Sequence, residues 1–429
     1  MQSIRPCVCS QRVVDAMRTA AAGYGSSAEA AVGTAVFTVG AEECVGADGM
    51  VVVGNIETCS TSTSTLLPLL ARLHIGYVPS AGRVLGLSKL ARIAEVYARR
   101  LQSPHALARS IASAVHEQIA PKGVAVRLHA KQLHPMGSSV SEHTACLGCM
   151  LDPSSGRRDE FEGLLRVQMQ RHWYSSRDRC SQKRAPSSSD SDALLCAPAA
   201  LEAPDLKARR LDSLLRVDGV QRAAQHERMR DAVERMLRDL DIPEDRETLR
   251  QAADGYISCL LDATAGHELS AAKLVRPPPR CEQKPRRDLR GGELAFYSVH
   301  VNSTCEHHLL PFFGSAVVGV PIEATANLGQ DALQGLVDIR ALRLQVQERL
   351  TEEIGEQLYE AACSVANASN CDVIVALEAS HMCMVARGVE KAASCTSSVA
   401  AFGSLRNSPT LRADALGRAM ESDAVAQAQ

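Results

Sequence analysis

Two short segments of the chain place a thiol, a carboxylate and several imidazoles close together. They are Ser303–His308, Ser-Thr-Cys-Glu-His-His, and Ser380–Cys383, Ser-His-Met-Cys. Cys305 and His308 have the spacing of metal ligands, and one thiolate with one imidazole is a donor set that suits Zn²⁺. Cys383 would complete a set of two thiolates and one imidazole. Three protein ligands leave a fourth position for water, which is typical of a catalytic zinc, whereas a structural zinc has four protein ligands.

The elements around these residues must bring them together. The second segment follows the apolar run Asp372–Ala379, which is rich in β-branched residues and predicts a strand. Side chains two positions apart on a strand share a face, so we expect His381 and Cys383 to point to the same place. His307 and His381 would then lie beside the metal without serving as ligands. Taken alone, His-x-Cys at a strand end is more often a buried thiol beside a hydrogen-bonded imidazole.

Composition limits the class of protein. The chain has 429 residues, of which 45% are hydrophobic and 22% charged, with a formal net charge of −2, as in ordinary soluble globular proteins. It contains no apolar run of about 18 residues, so no membrane helix is expected. Balanced charge argues against a nucleic-acid or membrane-surface partner. The 15 cysteines are scattered along the chain, which indicates reduced thiols in a cytoplasmic protein rather than a disulfide framework.

Internal comparison reveals a tandem duplication. The matching segments are 66–68 with 309–311 and 100–102 with 343–345, both at an offset of 243, and 124–126 with 373–375, at an offset of 249. We therefore predict a degenerate first copy in residues 1–171 and a second copy in 207–429. Residues 172–206 are rich in Ser, Pro and Ala without periodicity, and predict a flexible linker.

The two copies have kept different residues. At these offsets Cys305–His308 align with Ser62–Thr65, and Cys383 aligns with His134, so the first copy lacks the zinc donors. The first copy in turn has a hydroxyl and two cations that the second copy lacks, Ser88, Lys89 and Arg92. Lys89 and Arg92 are three positions apart and share a helix face. Such a cluster is by itself more often a solvated helix surface than a binding site.

The sequence around these residues resembles GTP cyclohydrolase I. The resemblance rests on Thr304–Phe312, Leu344–Arg349 and His381–Gly388, which match in order and approximate spacing, and on Gly-Leu-Ser-Lys at 86–89, a phosphate-binding signature of that family. It implies an α+β protein with two tandem tunnelling-fold (T-fold) domains, each an antiparallel sheet backed by helices, that assembles around an axis. The arrangement is similar to the tandem enzymes of plants and algae.

The resemblance also implies an activity. The expected reaction is zinc-dependent hydrolysis and rearrangement of GTP to 7,8-dihydroneopterin triphosphate and formate, the first step of pterin and tetrahydrofolate synthesis. Zn²⁺ would be held by Cys305, His308 and Cys383, and His307 and His381 would act as acid and base in an order the sequence leaves open. Glu348 would accept the two adjacent guanine donors. The other expected substrate contacts are Gln347, Glu306, Ser88, Lys89, Arg92 and Arg387.

Neither copy holds a whole site, so we expect a composite site at a domain or subunit interface of a homo-oligomer. GTP is the expected substrate, and no nucleic-acid or membrane partner is expected. Two alternatives stay open: a catalytically weak GTP- or pterin-binding regulator, and an assembly module with a structural zinc. A second metal site at His143-x-x-Cys146-x-x-Cys149 is not expected, since no fourth ligand is evident.

Overall fold

Two five-stranded sheets, one in each half of the chain, organise the molecule. The computed structural model describes residues 10–38, 49–173, 219–267, 269, 287–387 and 395–426. The first half contains α1 Ser10–Ala20, α2 Ala28–Val32, β1 Val36–Thr38, β2 Val51–Ser62, β3 Pro68–Val78, β4 Arg83–Leu85, α3 Leu87–Ala98, β5 Leu101–Gln102, α4 Pro104–Ile119, β6 Gly123–His134, β7 Gly137–Gly148 and α5 Arg157–Trp173.

The second half repeats this plan after an additional helix. Its elements are α6 Gly219–Asp239, α7 Arg246–Thr264, β8 Arg287–Leu289, β9 Leu294–Cys305, β10 Pro311–Pro321, α8 Gln330–Ala341, β11 Leu344–Gln345, α9 Gln347–Val365, β12 Ala368–Cys371, β13 Val373–His381, α10 Met382–Val385, β14 Thr396–Phe402 and α11 Pro409–Ala426. The strand orders are β5-β2-β3-β6-β7 and β11-β9-β10-β13-β14.

Alternating apolar residues explain how each sheet binds its helices. In β3, Leu69, Leu73 and Ile75 are fully buried and share one face of the strand. They pack in one cluster with Leu90 of α3 and Leu107 of α4. The second sheet packs on α8 and α9 through an equivalent cluster. The prediction of an α+β protein with two tandem T-fold domains is confirmed, with a two-residue parallel strand at one edge of each sheet.

Strand register confirms the duplication at the predicted offsets. Leu69 pairs with Gln132 in the first sheet, and Phe312 pairs with His381 at the same place in the second. The offset is 243 on the first strand of each pair and 249 on the second, so the second copy has six more residues between them.

Helices α6 and α7 of the second copy pack against the first copy. Leu237 and Tyr256 share a buried cluster with Leu67 and Leu101. A Cβ atom at Gly255 would lie 1.7 Å from the carbonyl oxygen of Ser64, so α7 can approach this turn closely only because residue 255 is glycine. The turn Ser62–Thr65, which aligns with Cys305–His308 of the second copy, is thus a packing surface between the copies.

The predicted domain limits are only partly within the described residues. Helix α5 runs to Trp173, two residues into the predicted linker, and residues 174–206 of that linker lie outside the described residues. The limits therefore stay a prediction. None of the helices in the described segments combines the length and the apolar character that a membrane crossing requires.

Candidate metal centre and substrate site

The end of β9, the turn that follows it and α10 bring three metal-ligating side chains together. The ligand atoms of Cys305, His308 and Cys383 all lie within 4.8 Å of one another, and all three residues are buried. A tetrahedral Zn²⁺ with ordinary bond lengths separates its sulfur and nitrogen ligands by roughly 3.5–3.8 Å. Cys305 Sγ and His308 Nδ1 are already 3.7 Å apart. No other group of three such side chains lies this close in the described part of the chain.

The contact between Cys305 and Cys383 moves the pKa values of the two thiols in opposite directions. A hydrogen bond from the Cys383 thiol, with further ones from His308 and from the backbone N–H groups of residues 307 and 308, lowers the pKa of Cys305 to about 4. The same contact, together with burial, raises the pKa of Cys383. This contact therefore favours the thiolate form of Cys305, which is the form in which a cysteine binds a metal. The donor set fits Zn²⁺.

Cys383 reaches the cluster by a different route from the expected one. Strand β13 ends at His381, and Cys383 lies in the single helical turn α10. The expectation that His381 and Cys383 share a strand face is wrong, because the chain turns into a helix at Met382. Met382 is fully buried in the core of the second copy, and the helical turn then presents Cys383 to Cys305.

Gln347 holds His381 in one orientation. The Gln347 side-chain Nε2 donates to the carbonyl oxygens of Leu377 and Thr396, at 3.1 and 2.8 Å, and to Ser398 Oγ at 3.0 Å. Carbonyl oxygens only accept, so the amide oxygen must face His381 Nε2, which lies 2.7 Å away. His381 therefore carries a proton on Nε2. Gln347 is only 2% exposed, and protein groups occupy both ends of its amide.

Glu306 lies beside the other imidazole. Its carboxylate accepts a hydrogen bond from Arg349 at 2.6 Å and lies 3.8 Å from His307 Nε2. His307 Nδ1 in turn lies 3.9 Å from Cys305 Sγ. Arg349 was not among the predicted site residues, although it ends one of the segments that carry the family resemblance. The structure thus gives Glu306 a protein partner on each side.

Two predicted substrate contacts lie near these buried groups and are exposed. Glu348 is in the first turn of α9, directly after the buried Gln347. Arg387 follows α10 and donates through Nε to the backbone carbonyl of Cys383. A carboxylate and a guanidinium are therefore available to a ligand beside the metal cluster.

Comparison with known proteins assigns the family. The family model for GTP cyclohydrolase I matches residues 7–147 and 229–419, which include both copies. The chain belongs to the GTP cyclohydrolase I family. GTP cyclohydrolase 1 of Arabidopsis thaliana is 30% identical over 425 residues, spanning 94% of this chain and 83% of that protein. The Solanum lycopersicum protein of the same name is 29% identical over 94% of this chain and 84% of its own length. The Gloeobacter violaceus protein is 42% identical over 160 residues, 36% of this chain and 72% of that protein.

The basic cluster of this GTP cyclohydrolase I family member lies on the first copy. Ser88 and Lys89 are in the first turn of α3, and Arg92 follows one turn later. Ser88 and Arg92 are exposed, and Lys89 Nζ donates to the carbonyl oxygen of Ala31 at 3.2 Å. The Lys89 hydrogen bond stays within the first copy and does not join the basic cluster to the metal cluster.

In the first copy of this GTP cyclohydrolase I chain, a polar network occupies the place of the metal cluster. Ser62 Oγ and Ser64 Oγ are 2.9 Å apart, and Gln132 donates to Ser62 at 3.2 Å. His134 Nε2 lies 3.7 Å from a carboxylate oxygen of Asp262, on α7 of the second copy. Hydroxyls and an amide are poor zinc ligands beside thiolates, so this network favours packing rather than metal binding.

Proposed function

We propose that the chain converts GTP and water to 7,8-dihydroneopterin triphosphate and formate, with Zn²⁺ held by Cys305, His308 and Cys383. The observation that carries the proposal is the buried three-ligand cluster with His307 and His381 near it in the chain, in a member of the GTP cyclohydrolase I family. A fourth ligand from the protein is not needed, so the cluster suits a catalytic rather than a structural metal.

The protein groups around the cluster have separate tasks. A bound Zn²⁺ supplies a Lewis acid that brings the pKa of water close to neutrality. His307 and His381 act as general acid and base, since His307 directly precedes the ligand His308 and His381 lies two residues before the ligand Cys383. Gln347 fixes the proton of His381 on Nε2, so the lone pair of the neutral ring is on Nδ1. We assign Gln347 and Glu306 to positioning these imidazoles, a narrower role than substrate contact.

Exposed groups would bind the substrate. The Glu348 carboxylate can accept both N1–H and N2–H₂ of guanine. The triphosphate requires cations, which Arg387 supplies beside the cluster and Lys89 and Arg92 supply near the N-terminus of α3, with the Ser88 hydroxyl. Since Lys89 and Arg92 belong to the first copy, we propose that the active site is composite. The cytoplasmic location stays a prediction.

A composite site agrees with unpaired edges on the sheets. In the described residues β7 is a 12-residue edge strand, and β14 forms the edge of the second sheet. An edge strand exposes unpaired backbone groups that another chain can cover. Val140 on β7 is 59% exposed, as expected for a surface that a further copy covers. We therefore propose a homo-oligomer.

The test measures metal and turnover on the same purified protein. We expect one zinc per chain and release of formate from GTP, with the fluorescent pterin appearing in parallel. Cys383→Ser should lose both, while Cys395→Ser, which changes an exposed thiol, should lose neither. Two tightly bound zincs per chain would contradict the degenerate first copy. Zinc-loaded protein that binds GTP without releasing formate would be a regulator rather than an enzyme.

A further inference from the structure

A second pair of cysteines lies in the second copy, outside the metal cluster. Cys363 is in the last turn of α9, and Cys371 is the last residue of β12. Their sulfur atoms are 3.1 Å apart, about 1 Å more than a disulfide bond. Both lie in the stretch where the second copy has six more residues than the first. We propose that Cys363 and Cys371 form a reversible disulfide that fastens the end of α9 to β12.

The two thiols differ in access, which sets the order of steps. Cys371 is fully buried, and burial followed by the contact with Cys363 raises its pKa, so it stays a thiol. Cys363 is half-buried and is the sulfur that an external oxidant reaches first. A low-molecular-weight disulfide, such as oxidised glutathione, is a suitable oxidant because exchange needs only an attacking thiolate.

The exchange balances without any further reactant. The Cys363 thiolate attacks one sulfur of oxidised glutathione, breaks its S–S bond and releases one glutathione thiolate, which takes up the proton lost by Cys363. Cys371 then loses its proton and attacks the Cys363 sulfur of the mixed disulfide, releasing the second glutathione. The two cysteines have lost two electrons, and one oxidised glutathione has become two reduced molecules.

The bond would act on the elements that carry the site rather than on the site itself. Helix α9 begins with Gln347 and spans 19 residues, so its two ends are about 28 Å apart. Strand β12 leads into β13, which ends at His381 near the metal cluster. A disulfide between the end of α9 and the end of β12 lies away from the reacting groups. It restricts the unfolded chain and stabilises the second copy, while the reacting groups keep their positions.

The experiment uses the full-length, zinc-loaded protein with oxidised glutathione as the probe. Free thiols are alkylated after incubation, and peptides are mapped by mass spectrometry while bound zinc is measured. We expect Cys363 and Cys371 to escape alkylation as a cross-linked pair that dithiothreitol reverses, with zinc retained and the apparent Tm raised by several degrees. Cys363→Ser and Cys371→Ser should each abolish the cross-link and the Tm rise. Cys395→Ser is the matched control and should keep both.

Three outcomes would overturn the proposal. One is alkylation of both cysteines after oxidation. Another is a stable glutathione adduct on Cys363 that Cys371 does not displace, and the third is a cross-link without a change in Tm. The peptide map of the wild-type chain decides the bond by itself, so the proposal stays testable even if a serine variant fails to fold.

Discussion

Gln347 and Glu348 are neighbours in the chain but have opposite surroundings. Gln347 is buried with every polar atom of its amide engaged by protein groups, and Glu348 is exposed in the first turn of the same helix. Only the second of the two can exchange water for a ligand without breaking contacts inside the protein. At the scale of single residues, Glu348 rather than Gln347 is therefore the proposed guanine contact.

Replacing Glu348 with glutamine should lower kcat/KM for GTP by about 30- to 150-fold, or about 2–3 kcal/mol. One acceptor oxygen becomes an amide donor that faces a guanine donor, so one hydrogen bond is lost and two donors are left facing each other. Steady-state kinetics on zinc-loaded enzyme measures the effect.

Glu352→Gln is the matched control for this change. Glu352 is exposed one turn further along α9 and lies 3.7 Å from Arg406. An exposed ion pair contributes little, so the control should retain nearly full activity with normal zinc content. Equal losses in both variants would mean that Glu348 does not contact guanine.

The sequence predicts the ligand types of the site better than their partners. Cys305, His308 and Cys383 stand out because few residue types bind zinc, and the structure brings all three together. The acceptors of the Gln347 amide lie 30 to 51 residues further along the chain, and Arg349 lies 43 residues from Glu306. No local pattern encodes such pairs, because they arise only when α9 packs against β13, β14 and the turn after β9.

At the scale of elements, periodicity predicts the long strands and the helices that cover them. β3 and β6 are 11 and 12 residues long, and apolar and polar residues alternate over Ala71–Ile75 and Val126–Lys131, which is long enough to recognise. β5 and β11 have two residues each, and too few positions remain to show a period. The helical turn at Cys383 is only four residues long, which is too short to show a helical period. The sequence therefore favours the continuation of β13 through Cys383.

The polar face of the first sheet differs from that of the second. His74 on β3 and His129 on β6 lie with ring centroids 5.8 Å apart, among Arg72 and Arg127. Glu57 on β2 pairs with Arg72, and Glu142 on β7 pairs with Arg127. The corresponding positions of the two histidines in the second sheet are Val317 and Glu378, so only the first copy has this pair of imidazoles.

His74 should make the first copy sensitive to acid. It is fully buried, and burial, followed by repulsion from His129, Arg72 and Arg127, lowers its pKa from 6.5 to about 4. His74 is therefore protonated below about pH 6.5 in the unfolded chain, but only below about pH 4 in the folded chain. The stability from a neutral His74 is complete above pH 6.5 and falls by up to about 3 kcal/mol as the pH drops to 4.

The measurement compares unfolding of wild type and His74→Val from pH 7.5 to 4. Valine is the residue of the second copy at this place, and it removes the Nε2 atom that lacks a hydrogen-bond partner. As the pH falls, the unfolding free energy of wild type should decrease relative to that of His74→Val. His116→Gln, at an exposed position on α4, should follow wild type throughout. A constant difference between wild type and His74→Val would show that His74 titrates normally.

At the scale of the whole molecule, the copies are joined by contacts that no single copy predicts. Helix α7 packs closely against Ser64, Leu237 of α6 shares a buried cluster with Leu67, and Tyr24 of the first copy donates to Glu244 at 2.6 Å. Lys131 lies 4.4 Å from the ring centroid of Phe313 on the second sheet. The first copy therefore packs directly against the second, and a variant of Lys89 tests whether it also contributes to catalysis.

Lys89→Ala should lower turnover of GTP by about 100-fold or more while zinc content stays normal. Loss of a charge-assisted contact leaves the triphosphate under-neutralised, and the metal ligands on the second copy are untouched. Arg109→Ala removes an exposed cation from α4 of the same copy and should leave turnover unchanged. If Lys89→Ala is as active as wild type, the composite site is rejected and the first copy is a scaffold.

Co-expression of Lys89→Ala with Cys305→Ala then determines which chains build each site. Lys89 Nζ contacts Ala31 of its own copy, and Ser88 and Arg92 are exposed, so we expect the site to form between different chains. Mixed oligomers would contain some sites with an intact Lys89 from one chain and an intact Cys305 from another, and activity should partly return. Oligomers of either variant alone should stay inactive, which supplies the control. If the mixed oligomers are also inactive, each chain folds its own two copies into one site, because every site then carries one of the two lesions.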